Sequence, residues 1–214
     1  MVYCIADVHG EIDRFKAMLS LINFSDQDTL YILGDVIDRH PGGVEILKII
    51  MEMPNMIMLL GNHEKMCLDT LGPNSVYGSR ALWKQNGGSS TYRELLYVCL
   101  PVERHRILHF LAKLPDHLDI DVGGQKFHLV HAKPSDDPEE RIWERPKPSD
   151  PPYFDDRLVI VGHTPTCYMP GDKESTFSIW RGNGLIDIDC GCGNATEHRR
   201  LACLRLEDLK EYYV

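Results

Sequence analysis

No apolar run in this 214-residue chain approaches the about 18 residues that a membrane-spanning helix needs, so a helical membrane protein is not expected. The opening run Met1–Ala6 is too short for the apolar core of a secretion signal and meets Asp7 at once, which points to a cytoplasmic protein. Cysteine occurs seven times but never as a CxxC unit. Only Cys190 and Cys192 are close, and an odd, scattered set argues against a zinc ribbon or a disulfide framework. Reduced thiols acting as packing residues are the simplest account. Positive charge is also scarce: 23 Lys and Arg stand against 32 Asp and Glu, a formal net charge of -9. A general nucleic-acid binder needs the opposite balance, because each phosphate contact calls for a cation. Internal repeats, low-complexity tracts and linkers are missing too. With 43% hydrophobic residues, one domain over residues 1–214 is expected.

What is present is alternation. Val2–Ala6, Thr29–Leu33 and Met56–Leu60 are short apolar runs suited to buried strands. Between them, Ile12, Phe15, Met18, Leu19 and Ile22, then Val44, Leu47, Ile50 and Met51, recur at helical spacing. Strand–helix–strand–helix–strand with short links implies parallel pairing and right-handed crossovers. From Asn74 to about Leu114 the pattern is helical, with Trp83, Leu95, Leu96, Ile107, Leu108 and Leu111 as core candidates and Gly87-Gly88 as a break. Alternation over His117–Asp121 and the Gly123-Gly124 turn then predict a hairpin into Lys126–Val130. Pro134–Pro152 is a Pro- and charge-rich excursion too long for an ordinary connection. Arg157–Val161 is a further strand, and Thr176–Trp180, Leu185–Ile188 and Arg200–Leu206 read as antiparallel strands.

The strand-like runs end in polar clusters: Asp7-Val8-His9-Gly10, Gly34-Asp35 through Asp38-Arg39, Gly61-Asn62-His63-Glu64, His131, and Gly162-His163-Thr164. Parallel strands place their carboxyl ends along one sheet edge, which is where open α/β sheets put their ligands. Taken singly, each cluster is as well explained by a helix cap or a turn. Jointly, Asp7, His9, Asp35, Asn62, His131 and His163 offer carboxylate, amide and imidazole donors in a mixture that suits manganese, iron or zinc better than magnesium or calcium. Six donors exceed one tetrahedral site. If Asp35 bridges, Asp7 and His9 complete one position and Asn62, His131 and His163 the other. Two cations about 3.5–4 Å apart clamp the entering and leaving oxygens of an in-line displacement at phosphorus, the entering one being a bridging hydroxide. Arg39 and Arg145 supply forked phosphate grips. His63, with Asp38 to orient its ring, is placed to protonate the leaving oxygen.

The runs DVHG, GDVIDR, GNHE, the strand-ending His131 and GHTP, in that order, resemble the signature of the metal-dependent phosphoprotein phosphatases within the calcineurin-like metallophosphoesterases. The bacterial and bacteriophage lambda protein phosphatase-like branch is the most similar, with Trp83–Gly88, Ile142–Arg145 and Ile186–Gly191 in comparable places. The resemblance implies an α/β (α+β) four-layer fold, a central β-sandwich flanked by helices with the active site at the carboxyl ends of the strands. It also implies two divalent ions, Mn2+ first, on Asp7, His9, Asp35, Asn62, His131 and His163, an acid pair Asp38 and His63, and phosphate-binding Arg39 and Arg145. Two departures stand out, His40 where Gly often follows the motif Arg, and Ala132-Lys133 after His131.

The function expected first on that resemblance is a protein serine/threonine phosphatase with phosphotyrosine activity, acting on phosphorylated proteins or peptides and on small aryl phosphates, with neither nucleic acid nor membrane as partner. A hydrolase of dinucleoside polyphosphates such as diadenosine tetraphosphate is the alternative, because it shares the scaffold; Asp38-Arg39 and Glu64 are read as favouring the phosphatase. A non-catalytic metal-binding regulator comes third.

Overall fold

Two five-stranded sheets carry the molecule, and each is built around three parallel strands. The computed structural model describes residues 1–170 and 177–214. In the first sheet β1 (Val2–Ile5), β2 (Thr29–Ile32) and β3 (Met56–Met58) run parallel. They are linked by α1 (Ile12–Leu21) and α2 (Gly43–Glu52). Strands β9 (Ala202–Arg205) and β10 (Lys210–Tyr213) extend it antiparallel on the other side of β1, giving the order β10-β9-β1-β2-β3. In the second sheet β5 (Gln125–Val130), β6 (Leu158–Val161) and β8 (Leu185–Asp187) are parallel. Here β4 (His117–Val122) and β7 (Trp180–Arg181) form the antiparallel edges.

Burial follows the pattern of the sequence. One face of the first sheet, with Ile5, Leu30 and Ile32, packs on Phe15, Met18, Val44, Leu47 and Ile50 of the two crossover helices. The other face meets the second sheet: Cys4, Ala6, Leu33, Leu59 and Leu204 share a cluster with Phe127, Leu129, Ile160 and Ile186. Parallel strands covered on both faces must be apolar on both, so these strands read as continuous runs rather than alternations. The outer face of the second sheet, through Val130, Val159 and Val161, is covered by Tyr153, Phe154 and Trp180. This is the β-sandwich flanked by helices that the resemblance implies.

Between the sheets in sequence lie α3 (Asn62–Leu71), α4 (Ser79–Gln85), α5 (Ser89–Arg93), a π-helical turn over Glu94–Val98 and α6 (Pro101–Leu111). Gly87-Gly88 separates α4 from α5 as expected, and Pro101 starts α6 where its missing N–H costs nothing. Trp83, Leu95, Ile107 and Leu111 are buried, while Leu96 and Leu108 are half-buried. The 134–152 excursion contains one short helix, α7 (Glu140–Trp143).

Three expectations are corrected. Leu185–Ile188 does not lie in a purely antiparallel region, because β8 runs parallel to β6 and joins the central triplet. Of the strand expected at Thr176–Trp180, Thr176 lies outside the described residues and pairing begins only at Trp180. Strand β10 was not expected at all; polar Lys210 and Glu211 mask it in the sequence, and it forms because it edges β9. No described helix is long and apolar enough to cross a membrane.

Candidate active site

Each parallel strand of both sheets delivers polar groups just past its carboxyl end, and these groups meet. Asp7 and His9 follow β1, Asp35 follows β2, Asn62 follows β3, His131 follows β5 and His163 follows β6. Asp35 is at the centre. Its Oδ2 lies 3.8 Å from His9 Nε2 and 3.8 Å from His63 Nε2, while its Oδ1 lies 3.4 Å from His131 Nε2. Asn62 Oδ1 stands 3.0 Å from His131 Nε2 and 3.1 Å from His163 Nδ1. Asp7 Oδ1 is 3.8 Å from His9 Nε2, and its Oδ2 accepts the His163 backbone N–H at 2.9 Å. All six expected metal-ligating residues are therefore brought into one cluster.

Close approach of the loops depends on two glycines. A Cβ on Gly61 would sit 2.2 Å from Asp35 Oδ1, and one on Gly162 would sit 2.2 Å from Asp7 Oδ2. Any side chain there would displace a carboxylate. The backbone is also turned into the left-handed region at Asp7, His9, Asp35, Asp38, Arg39 and His163, six of the nine described non-glycine residues with positive φ. Such conformations persist only where surrounding structure holds them, and they gather at functional sites.

Supporting contacts fix the rings. His9 Nδ1 faces the Ile37 carbonyl at 3.1 Å, which leaves its Nε2 lone pair directed inward. His131 Nδ1 faces the Leu33 carbonyl at 2.6 Å, which turns its Nε2 toward Asn62 and Asp35, whose charge outweighs burial and helps push the His131 imidazolium up to about 10. The buried Glu64 carboxylate accepts the backbone N–H groups of Asp35, Val36 and Gly61, tying the second and third motifs together. Asp38 Oδ2 accepts from both His63 Nδ1 at 2.7 Å and the Trp83 indole N–H at 2.6 Å, and the Asp38 N–H donates to Thr91 Oγ1 at 3.0 Å.

The electrostatics fit a cation. Burial, with Asp189 and Asp35 nearby, pushes the Asp7 carboxyl well above its ordinary range. Asp35 is held well below it because His131 and His63 outweigh the cost of burial. Burial and neighbouring His63 keep His9 neutral, and its Nε2 is buried with no hydrogen-bond partner. A neutral imidazole with an orphaned lone pair beside crowded carboxylates is a donor set that suits a positive ion. Two triads have ligand atoms within 4.8 Å of one another: His9, Asp35 and His63, and Asp35, His131 and His163. The first contains His63 where the sequence reading has Asp7. The His/Asp clusters can thus hold divalent metal in two adjoining places sharing Asp35.

Arg39 and Arg145 are both exposed at the mouth of this cluster. Arg39 Nη1 reaches Asn194 Oδ1 at 3.4 Å, and Arg145 Nη1 donates to Thr164 Oγ1 at 3.1 Å beside the His163 carbonyl. His40, one of the two departures, joins Glu11 and Arg199: its Nδ1 is 3.1 Å from Glu11 Oε1, and Arg199 Nη1 is 2.7 Å from its Nε2. Lys133 Nζ lies 3.9 Å from Glu140 Oε2.

Sequence reasoning missed several members. Asp187 and Asp189, buried at and after the end of β8, complete the rule that every central parallel strand delivers polar groups at its carboxyl end. Burial pushes Asp189 up to about 6. The Ile-Asp-Ile-Asp run was the available signal, and treating it as an antiparallel strand hid it. Thr91 gave none, and the Trp83–Gly88 segment did not say what Trp83 does, since only the folded chain shows the two residues holding Asp38. The other histidines stay outside the site. His117 and His128 bond Asp116 and Asp119 at 2.7 Å each.

A family model for calcineurin-like phosphoesterases matches residues 1–188. The symmetrical bis(5'-nucleosyl)-tetraphosphatase of Acidovorax ebreus (strain TPSY) is 31% identical over 133 residues, 61% of this chain and 43% of that protein. The enzyme of the same name from Wigglesworthia glossinidia brevipalpis is 44% identical over 64 residues, 29% of this chain and 24% of its own length. The chain thus spans less than half the length of these curated relatives. Among solved structures, a candidate diadenosine tetraphosphatase superposes with a TM-score of 0.64 at 16% identity, covering 100% of this chain and 92% of that one. A protein serine/threonine phosphatase from Saccharomyces cerevisiae does so at 0.62 and 12%, covering 94% and 71%. These last two are likenesses of fold alone.

The sequence relatives overturn the first functional expectation, a protein serine/threonine phosphatase acting on phosphorylated proteins or peptides, because they bear the name of the alternative. The physical reason for the misreading is visible in the site. Glu64 is spent on loop amides and Asp38 on His63 and Trp83, so neither faces substrate in a way that separates the two activities. Assignment to the lambda protein phosphatase-like branch falls with that expectation. With its match over residues 1–188 and its paired sheets, the chain belongs to the calcineurin-like phosphoesterase family.

Proposed function

We propose that this protein is a metal-dependent hydrolase of dinucleoside polyphosphates of the diadenosine tetraphosphate type. The observation that supports it most directly is the 31% identity over 133 residues to a symmetrical tetraphosphatase. Asp7, His9, Asp35, Asn62, His131 and His163 would hold two divalent ions, manganese before iron or zinc. Bound there, the ions supply Lewis-acid charge for the phosphate oxygens and acidify a water. The chain's own groups do the rest. Arg39 and Arg145 hold phosphate oxygens at the mouth, and His63, its Nδ1 engaged by Asp38, presents Nε2 for proton donation to the leaving oxygen. The test is to supply diadenosine tetraphosphate to manganese-loaded protein. A single nucleotide product, ADP, is expected; no turnover, with a phosphopeptide cleaved instead, would overturn the reading.

Metal should also stabilise the fold. At a manganese concentration 100 times the dissociation constant, one site contributes ~2.7 kcal/mol. For a chain of this size that raises Tm by about 5–11 °C. Differential scanning fluorimetry with and without chelator checks it, and an unchanged Tm would count against resident metal.

The pH profile tests the proton donor. Burial alone would lower the His63 imidazolium, but the Asp35 charge and the Asp38 hydrogen bond outweigh it and hold its pKa above the ordinary value. Bound ions would offset the Asp35 charge and leave the Asp38 hydrogen bond as the raising influence; His63 donates only when protonated, so activity is lost as pH rises through the pKa that bond sustains. Asp38→Asn removes one of the raising influences. The alkaline limb of the kcat/KM profile should therefore move to lower pH in that variant, and a limb that stays put would remove His63 from the role.

A further inference from the structure

Beside the acid pair, on the helices that follow the third motif, is a cavity of about 320 Å3 lined by Arg80, Trp83, Lys84, Tyr92, Arg93 and Tyr97. In a chain of net charge -9 this lining includes three cations and, among the described residues, no carboxylate. None of the three is ion-paired with a described residue. Arg80 lays its guanidinium 4.2 Å from the Tyr92 ring centroid, and Arg93 Nε is directed to the Ser89 carbonyl at 3.1 Å. Tyr97 is 76% exposed, an aromatic face that no described residue covers.

The cavity is connected to the proposed reaction site at two points. Trp83 is one of its walls and also donates its indole N–H to Asp38. The Gly87-Gly88 turn that borders it receives the Arg39 backbone N–H on the Gly87 carbonyl at 3.1 Å. The same turn therefore lies against Arg39 through Gly87 and lines the cavity through Gly88.

We infer that this cavity takes the nucleoside-phosphate arm that extends past the cleaved bond, an inference that rests on the dinucleoside polyphosphate reading above. The chemistry matches piece by piece. Lys84 and Arg93 offer charge for phosphates, Tyr97 and the Arg80–Tyr92 pair offer surfaces on which a base stacks, and the volume falls in the range of small-molecule sites. A compact monophosphate ester does not extend far enough to use it. Selectivity for dinucleotides over simple esters therefore resides here.

The test is a calorimetric titration of the metal-free 214-residue chain with ADP, adenosine and inorganic pyrophosphate. ADP should bind more tightly than either fragment, since it alone offers both base and phosphates. The exposed double variant K84E/R93E should weaken ADP binding at least 10-fold, and Tyr97→Ala should weaken ADP and adenosine but not pyrophosphate. With metal restored, K84E/R93E should raise KM for diadenosine tetraphosphate while kcat changes little. Equal ADP affinity in wild type and K84E/R93E, or a KM that ignores the variant, overturns the pocket even if the dinucleotide is cleaved. Conversely, ADP binding that depends on Lys84 and Arg93 in a protein unable to cleave diadenosine tetraphosphate keeps the pocket and removes the activity.

Discussion

Replacing Asp35 by Asn is expected to empty both halves of the metal site together. Each carboxylate oxygen serves a different side: Oδ2 faces His9 and His63, and Oδ1 faces His131. An amide keeps the shape, and its oxygen can still accept the His63 backbone N–H that Oδ1 now takes at 3.0 Å, so the loop should hold. What it removes is a full negative charge from the place that the two proposed cations would share. If the pair contributes ~4 kcal/mol to the transition state, turnover falls about 10³-fold. Metal analysis of the purified variant, alongside the assay, is decisive, because retention of one equivalent at full affinity would mean that Asp35 serves a single ion.

His63→Asn should slow the reaction without releasing metal, and by an amount that depends on what leaves. A nucleoside diphosphate departs as an anion whose conjugate acid is weak-to-neutral, the second phosphate ionisation being about 6, so it needs little help from a proton donor. A phenolate, with a conjugate acid near 10, needs more. General-acid effects span about 10²–10⁴, so the loss should lie near 10² for diadenosine tetraphosphate and climb toward 10⁴ for phenyl phosphate. Equal losses on the two substrates would make His63 a ligand or a positioning group instead, a possibility that its place in the first metal-binding triad makes concrete.

Much of this was legible before any coordinate was known, for a specific reason. A parallel strand buried on both faces is an unbroken apolar run, and the first polar residues after it must lie at its carboxyl end. That reasoning located Asp7, His9, Asp35, Asn62, His131 and His163, which the fold brings within a few ångströms of one another across 156 positions of sequence. It failed where a strand's direction was misjudged. Leu185–Asp187 looked antiparallel among short β segments, so Asp187 and Asp189 were passed over. It also failed where a side chain acts from a distant helix, as Trp83 does on Asp38, because no local pattern encodes an indole reaching a loop 45 residues away. Substrate choice was the least legible of all. The motif residues that seemed to decide it, Asp38 and Glu64, are occupied inside the scaffold, while the groups lining the cavity by Tyr97 lie on α4, α5 and the π-helical turn, away from the strand-end motifs.

The left-handed turns at Asp7, His9, Asp35, Asp38, Arg39 and His163 set the working molecule at odds with its own durability. A side chain in that conformation costs on the order of 1 kcal/mol that glycine would not. Glycine at several of these positions would relax the loops while erasing the donors, so a library screened for heat tolerance alone would drift toward inert proteins. The hardiest descendants of this chain would be those that had forgotten their chemistry.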